Sequence, residues 1–103
     1  MAPVTPQEYV EEVLALIERI PEGKVMSYGA VADALAERSG RNSARQIGNI
    51  MARHGGAVPW HRVVTSAGRT PPGHEDEARQ RLLSDGVPLR GDHVDMTRAQ
   101  WRP

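Results

Sequence analysis

At 103 residues the chain has room for one domain and one modest core, which excludes a second catalytic domain. Lysine plus arginine and aspartate plus glutamate number 13 each, so the formal net charge is zero and the chain is neither a strongly basic nor a strongly acidic protein. No cysteine occurs, which removes disulfides, thiolate metal sites and any thiol nucleophile.

The start Met1-Ala2-Pro3-Val4 carries neither a basic leader nor an apolar stretch of signal-peptide length, and no apolar run approaches the roughly 20 residues that cross a bilayer. A cytoplasmic protein without membrane contact is expected. With two Trp, two Tyr and no Phe, the core is expected to rest on Val, Leu, Ile, Met and Ala.

Thr5-Pro6-Gln7-Glu8 reads as a helix start, with Thr5 as N-cap, Pro6 in the first turn and Glu8 closing a capping box. Along this first helix, Val10, Val13, Leu14 and Ile17 recur at helical spacing and leave Glu11, Glu12 and Glu18 outward. Pro21-Glu22-Gly23-Lys24 ends it as a turn. Ser27 then caps a second helix, through Val31, Ala32 and Leu35 to about Arg38.

Ser39-Gly40-Arg41-Asn42 breaks that helix, and Ser43 with Gln46 forms another capping box ahead of Ile47, Ile50 and Met51. Two short helices around a glycine-containing turn make a helix-turn-helix candidate, whose second helix would present Ser43, Arg45, Gly48 and Asn49 to a duplex. Small residues there permit close approach. A helical hairpin of this size is more often an ordinary packing unit, so the pattern alone leaves DNA contact open.

Arg53-His54-Gly55-Gly56 ends the second helix of the pair, Pro59 fixes the backbone ahead of Trp60, and Arg62-Val63-Val64 reads as a short extended piece. Ser66-Ala67-Gly68-Arg69 and the rigid Thr70-Pro71-Pro72-Gly73 form loops. A further helix is expected from about Glu75 to Leu83, with Ala78, Leu82 and Leu83 inward and Gly86 terminating it. Residues 87 to 103 carry too few periodic apolar residues to assign an element, and the chain has no internal repeat.

Charge is unevenly distributed along these elements. No Asp or Glu occurs from Arg38 to His74, whereas Arg38, Arg41, Arg45, Arg53, Arg62 and Arg69 all lie there. A positive segment between acidic ones is the footprint of phosphate contact, or else a solvated arginine-rich surface.

The run Pro59-Trp60-His61-Arg62-Val63-Val64 resembles the Pro-Cys-His-Arg-Val core of the O6-alkylguanine-DNA alkyltransferases, with Trp60 in place of the cysteine that takes the alkyl group. Ile20 to Val25 with Ser27-Tyr28-Gly29, Ala44-Arg45-Gln46-Ile47-Gly48 and Ser66-Ala67-Gly68 fall in the order and approximate spacing of the DNA-binding domain of that family, across roughly residues 7 to 90. The cysteine-free pattern is similar to that of the alkyltransferase-like proteins, which bind alkylated guanine without repairing it and lack the larger N-terminal domain.

The resemblance implies a role for each matched residue. Arg45 corresponds to the arginine finger that fills the stack when the damaged nucleotide rotates out, and Tyr28 to the residue at the 3′ phosphate of that nucleotide. Trp60 would line the lesion pocket, with His61, Val63, Val64 and Arg69 around it, Val63 and Val64 through backbone groups and Arg69 as a cation sensing the guanine. In the reactive family the histidine relays a proton toward a carboxylate, whose position here is Asp85; without a thiol, His61 and Asp85 become a structural pair, and Arg62 stitches neighbouring loops. Arg69-Thr70-Pro71-Pro72 replaces the family's Tyr-Ser pair after Gly, and the Asn-Pro hinge before Pro59 is missing, which leaves pocket width open.

The expected molecule is mainly α, a small single domain over residues 1 to 103 with a helix-turn-helix of winged-helix type. It is expected to bind duplex DNA containing O6-alkylguanine as a monomer, to flip the lesion, and by resemblance to pass it to nucleotide excision repair proteins, with no cofactor and no metal. A helix-turn-helix transcriptional regulator of undamaged DNA is the alternative; such regulators usually dimerise, and no apolar dimer stripe is evident. An enzyme built on His61 and Asp85 is the third class, but Thr65 and Ser66 sit in no nucleophile elbow, and His54, His61, His74 and His93 lack metal-ligand spacing.

Overall fold

The structure is a computed structural model that describes residues 5–39 and 44–103. Helix α1 (Pro6–Glu18) starts where Thr5 Oγ1 accepts the Glu8 amide at 3.1 Å and Pro6 occupies the first turn. Its buried face is Tyr9, Val13, Leu16 and Ile17, continued by Ile20. The stripe is thus rotated from the expected one: Tyr9 and Leu16 take its centre, and Val10 and Leu14 pack half-buried at its flank.

After the turn closed by Lys24 N–H to Pro21 C=O, strand β1 (Met26–Ser27) leads into α2 (Tyr28–Ser39). Ser27 Oγ accepts the Ala30 amide at 3.0 Å, the cap read from sequence. Helix α3 (Ala44–His54) packs on α1 and α2 through Ile47 and Ile50. The cap and DNA contact expected of Ser43 lie outside the described residues.

Two single-turn helices come next, Gly55–Ala57 and Trp60–Arg62, and then strand β2 (Val63–Val64), which runs parallel to β1 with Met26 opposite Val63 and Ser27 opposite Val64. Because side chains alternate across a strand, this short ladder divides the interior. Met26 and Val63 face a core of α1, α2 and α3, whereas Val25 and Val64 face a second cluster with Leu82, Val87, Val94 and Ala99. The ladder is therefore the joint between the helix-turn-helix and the C-terminal half.

Helix α4 (Glu75–Asp85) begins with three acids, which suit its positive end, and stops at Gly86 in the left-handed conformation (φ 78°), with Val87 N–H returning to Leu82 C=O. Ala78 and Leu82, one turn apart, are buried; Leu83, expected inward, is 56% exposed. It comes one position after Leu82, about 100° round the helix, which turns it off the core stripe.

The tail, unassigned from sequence, is structured. Strands β3 (Leu89–Arg90) and β4 (His93–Val94) form an antiparallel hairpin, and Asp95 caps the short helix α5 (Met96–Ala99). Val25 then donates to Ala99 C=O and accepts from Trp101 N–H, so the C-terminal strip lies against the same joint as β1 and β2. Helices α2 and α3 with the hairpin as wing make the mainly helical, winged helix-turn-helix arrangement expected. Among the described residues, no helix is long and apolar enough to cross a membrane.

Candidate functional site

An open cavity of about 900 Å³ lies between the helix-turn-helix and the C-terminal half. One side is Tyr28 and Gly29 at the start of α2 with Arg45, Gly48 and Met51 along α3; the other is Trp60, the turn at Thr65 and Ser66, the Pro71-Pro72 loop, and His74 and Glu77 at the start of α4. Of the residues expected to contact DNA, Tyr28, Arg45 and Gly48 thus share one concavity with Trp60, one of the five expected around the lesion pocket.

Gly48 stands half-way along that face. A Cβ built on it would meet no heavy atom within 4 Å, so packing does not demand glycine there. The missing side chain instead leaves the outer surface of α3 open to whatever approaches the cavity. Tyr28 is half-buried, and desolvation raises its phenol above the ordinary tyrosine value, which keeps it neutral as a hydrogen-bond donor.

Trp60 owes its place to the backbone before it. Its amide donates to Val58 C=O at 2.7 Å, and the Arg62 amide closes the turn on Pro59 C=O at 3.0 Å, so the indole is carried on a tight corner immediately before β2. His61 and His74 meet its ring edge-on, with centroids 6.2 and 5.7 Å away, and the Arg81 guanidinium lies 5.4 Å over it.

Beneath the indole, His61 Nε2 lies 2.8 Å from one Asp85 carboxylate oxygen. Arg62 grips the same carboxylate with Nε at 2.8 Å and its second terminal nitrogen at 3.3 Å, and donates to Ile20 C=O at 3.0 Å, so it ties α1, the Trp60 turn and the end of α4 together. Burial pushes the Asp85 carboxyl up, but the hydrogen bonds from Arg62 and His61 outweigh it and hold the group below the ordinary carboxylate value. Burial lowers His61, the cations Arg62 and Arg81 adding to it, and this exceeds the pull of Asp85. The outcome is a neutral imidazole donating Nε2–H to an ionised Asp85. Its Nδ1 is buried without a hydrogen-bond partner among the described residues.

Other expected positions fall elsewhere. The Val63 and Val64 side chains are fully buried in the two cores, because the pairing of β2 with β1 turns both inward, and their backbones lie in that ladder. Arg69 is exposed and is not part of the cavity wall. Its backbone closes a turn with Thr65, and its charge falls near Asp92 on the wing. Asn49 is exposed on α3 and borders a separate, smaller cavity of about 470 Å³ with Val10, Ile50 and Arg53. His74, Glu77 and Arg81 border or back the site and went unread from sequence, since a charged first turn of a helix reads as a solvated one. No cluster of metal-ligating residues occurs among the described residues.

The model of the 6-O-methylguanine DNA methyltransferase DNA-binding domain matches residues 8–86. A DNA base-flipping protein of Escherichia coli is 36% identical over 98 residues, covering 90% of this chain and 74% of that protein. Alkyltransferase-like protein 1 of Schizosaccharomyces pombe is 32% identical over 110 residues, covering 93% of this chain and 96% of that one. A crystal structure of S. pombe Atl1 in complex with damaged DNA containing O6-carboxymethylguanine is similar in fold, with a TM-score of 0.81, 27% identity, and coverage of 97% of this chain and 100% of that one.

Proposed function

The chain belongs to the family of the 6-O-methylguanine DNA methyltransferase DNA-binding domain, and we propose that it binds O6-alkylguanine in duplex DNA, turns the nucleotide into the cavity beside Trp60 and holds it there without accepting the alkyl group. One observation carries the reading: an indole stands in the cavity wall of a chain with no cysteine, on the same corner as the His61, Arg62 and Asp85 network. Transfer of an alkyl group to protein in this family needs a thiolate, and an indole supplies contact area instead of a nucleophile.

The geometry supports a sequence of roles. Helix α3 approaches the duplex with Gly48 leaving room, and Arg45 fills the gap left by the rotated nucleotide while Tyr28 crowds the adjoining phosphate. Extruding a base costs a few kcal/mol, and aromatic contact in the cavity returns about 1–3 kcal/mol. His61 and Arg62 act on the corner that aims Trp60, through Asp85, and move no proton to the substrate.

Binding without chemistry leaves the lesion for other proteins to remove. By resemblance those are the nucleotide excision repair proteins, acting with this chain on DNA in the cytoplasm. Incubation with duplex labelled on the O6-methyl group tests the central part: the label is expected to stay on the base after the protein is stripped off, and label on the protein or in solution would contradict it.

A further inference from the structure

The cation that lies over the ring of the cavity's aromatic wall comes from α4, on the far side of the cavity from the helix-turn-helix. Arg81 of α4 lies over the Trp60 ring at 5.4 Å, and one turn earlier Glu77 holds the same guanidinium at 3.4 Å. Glu77 itself borders the cavity, so one carboxylate both edges the site and anchors the cation behind its indole.

Stability does not account for this arrangement. The Arg81 and Glu77 side chains are 50% and 57% exposed, and an exposed pair at this helical spacing contributes only a few tenths of a kcal/mol. Arg69, the cation expected at the pocket, is not in the cavity wall, and the guanidinium over the Trp60 indole is that of Arg81. Its charge also reaches His61 under the same indole. A wall already fixed in one orientation loses less freedom when a ligand docks, which favours the ligand that uses the wall over the one that does not.

We infer that Arg81, tethered by Glu77, is a positioning residue for lesion recognition: it holds the Trp60 indole against the flipped base and acts only through that ring. This rests on the lesion-binding reading above. A guanidinium over an exposed aromatic is worth about two- to fivefold in an equilibrium constant.

The test is the ratio of affinities for two duplexes of one sequence, carrying O6-methylguanine or guanine, with Arg81→Met, Arg81→Lys, Trp60→Ala and the Trp60→Ala/Arg81→Met double variant. Arg81→Met is expected to lower the ratio about two- to fivefold with affinity for guanine duplex unchanged. Arg81→Lys, which keeps a cation, is expected to recover part of that loss, and in the Trp60→Ala background removal of Arg81 is expected to change nothing. An unchanged ratio in Arg81→Met, equal loss on both duplexes, or the same loss without Trp60 would each overturn the inference while the lesion-binding reading stands. No preference in the wild type would overturn that reading, and this inference with it.

Discussion

His61 and Asp85 meet at 2.8 Å across 24 residues of sequence, joining the turn that carries Trp60 to the last residue of α4. Both groups have folded-state pKa values below their ordinary ones, so the unfolded chain binds more protons than the folded chain wherever they titrate. Stability is therefore expected to fall as pH drops below the ordinary His value of 6.5 and to fall again through and below the ordinary Asp value of 3.8. Asp85→Asn should reduce the lower limb and cost about 3 kcal/mol at neutral pH, since Arg62 would lose its partner in a mostly buried site. Urea unfolding at stepped pH checks both, and a variant with wild-type acid sensitivity would remove Asp85 from the account.

Gly48→Ala separates fold from function. The added methyl meets open space inside the protein, and a helical alanine is worth about 0.5–1 kcal/mol over glycine, so the melting temperature should rise. Duplex affinity should fall, because that methyl projects from the face offered to DNA. Melting curves and duplex titrations read the two effects independently; raised stability with undiminished affinity would move the DNA away from this face.

Gly68→Ala should instead destabilise the fold. Gly68 has φ +85°, its carbonyl accepts the Val94 amide at 2.8 Å, and an added Cβ would run into the Val94 backbone carbonyl. A loss of about 2 kcal/mol or more is expected, read by urea unfolding. The turn at Thr65 and Ser66 borders the cavity, so the loosened wing should also weaken lesion binding.

Trp60→Ala addresses the wall directly. Aromatic contact with a base is worth about 1–3 kcal/mol, so lesion affinity should fall about tenfold or more while guanine-duplex affinity is retained. Equal losses on both duplexes would make Trp60 a packing residue for the fold.

Much of this was legible in the chain because local signals coincide with the observed elements. Thr5, Ser27 and Gly86 mark helix ends by chemistry that needs no tertiary context, and both caps and the stop are where those residues put them. The matched runs at Tyr28, Arg45 and Trp60 converge on one cavity although 32 residues separate the first from the last. What was not legible depends on long-range pairing. Strands of two residues are too short for periodicity, so the residues that form the wing and the Val25 bridge could not be read, and the burial of Val63 and Val64 results from a partner strand far away in sequence. Arg81 was invisible for the same reason: only the fold brings α4 over the indole.

The central claim is tested most directly by binding to two duplexes of identical sequence, one with O6-methylguanine and one with guanine, at several salt concentrations, for the wild type and Arg45→Ala. The account expects tighter binding to the lesion, a preference that shrinks in Arg45→Ala, and a salt slope shared by both duplexes, because phosphate contacts are common to them. Equal affinity for both duplexes in the wild type would contradict it and leave a DNA-binding fold without a lesion pocket.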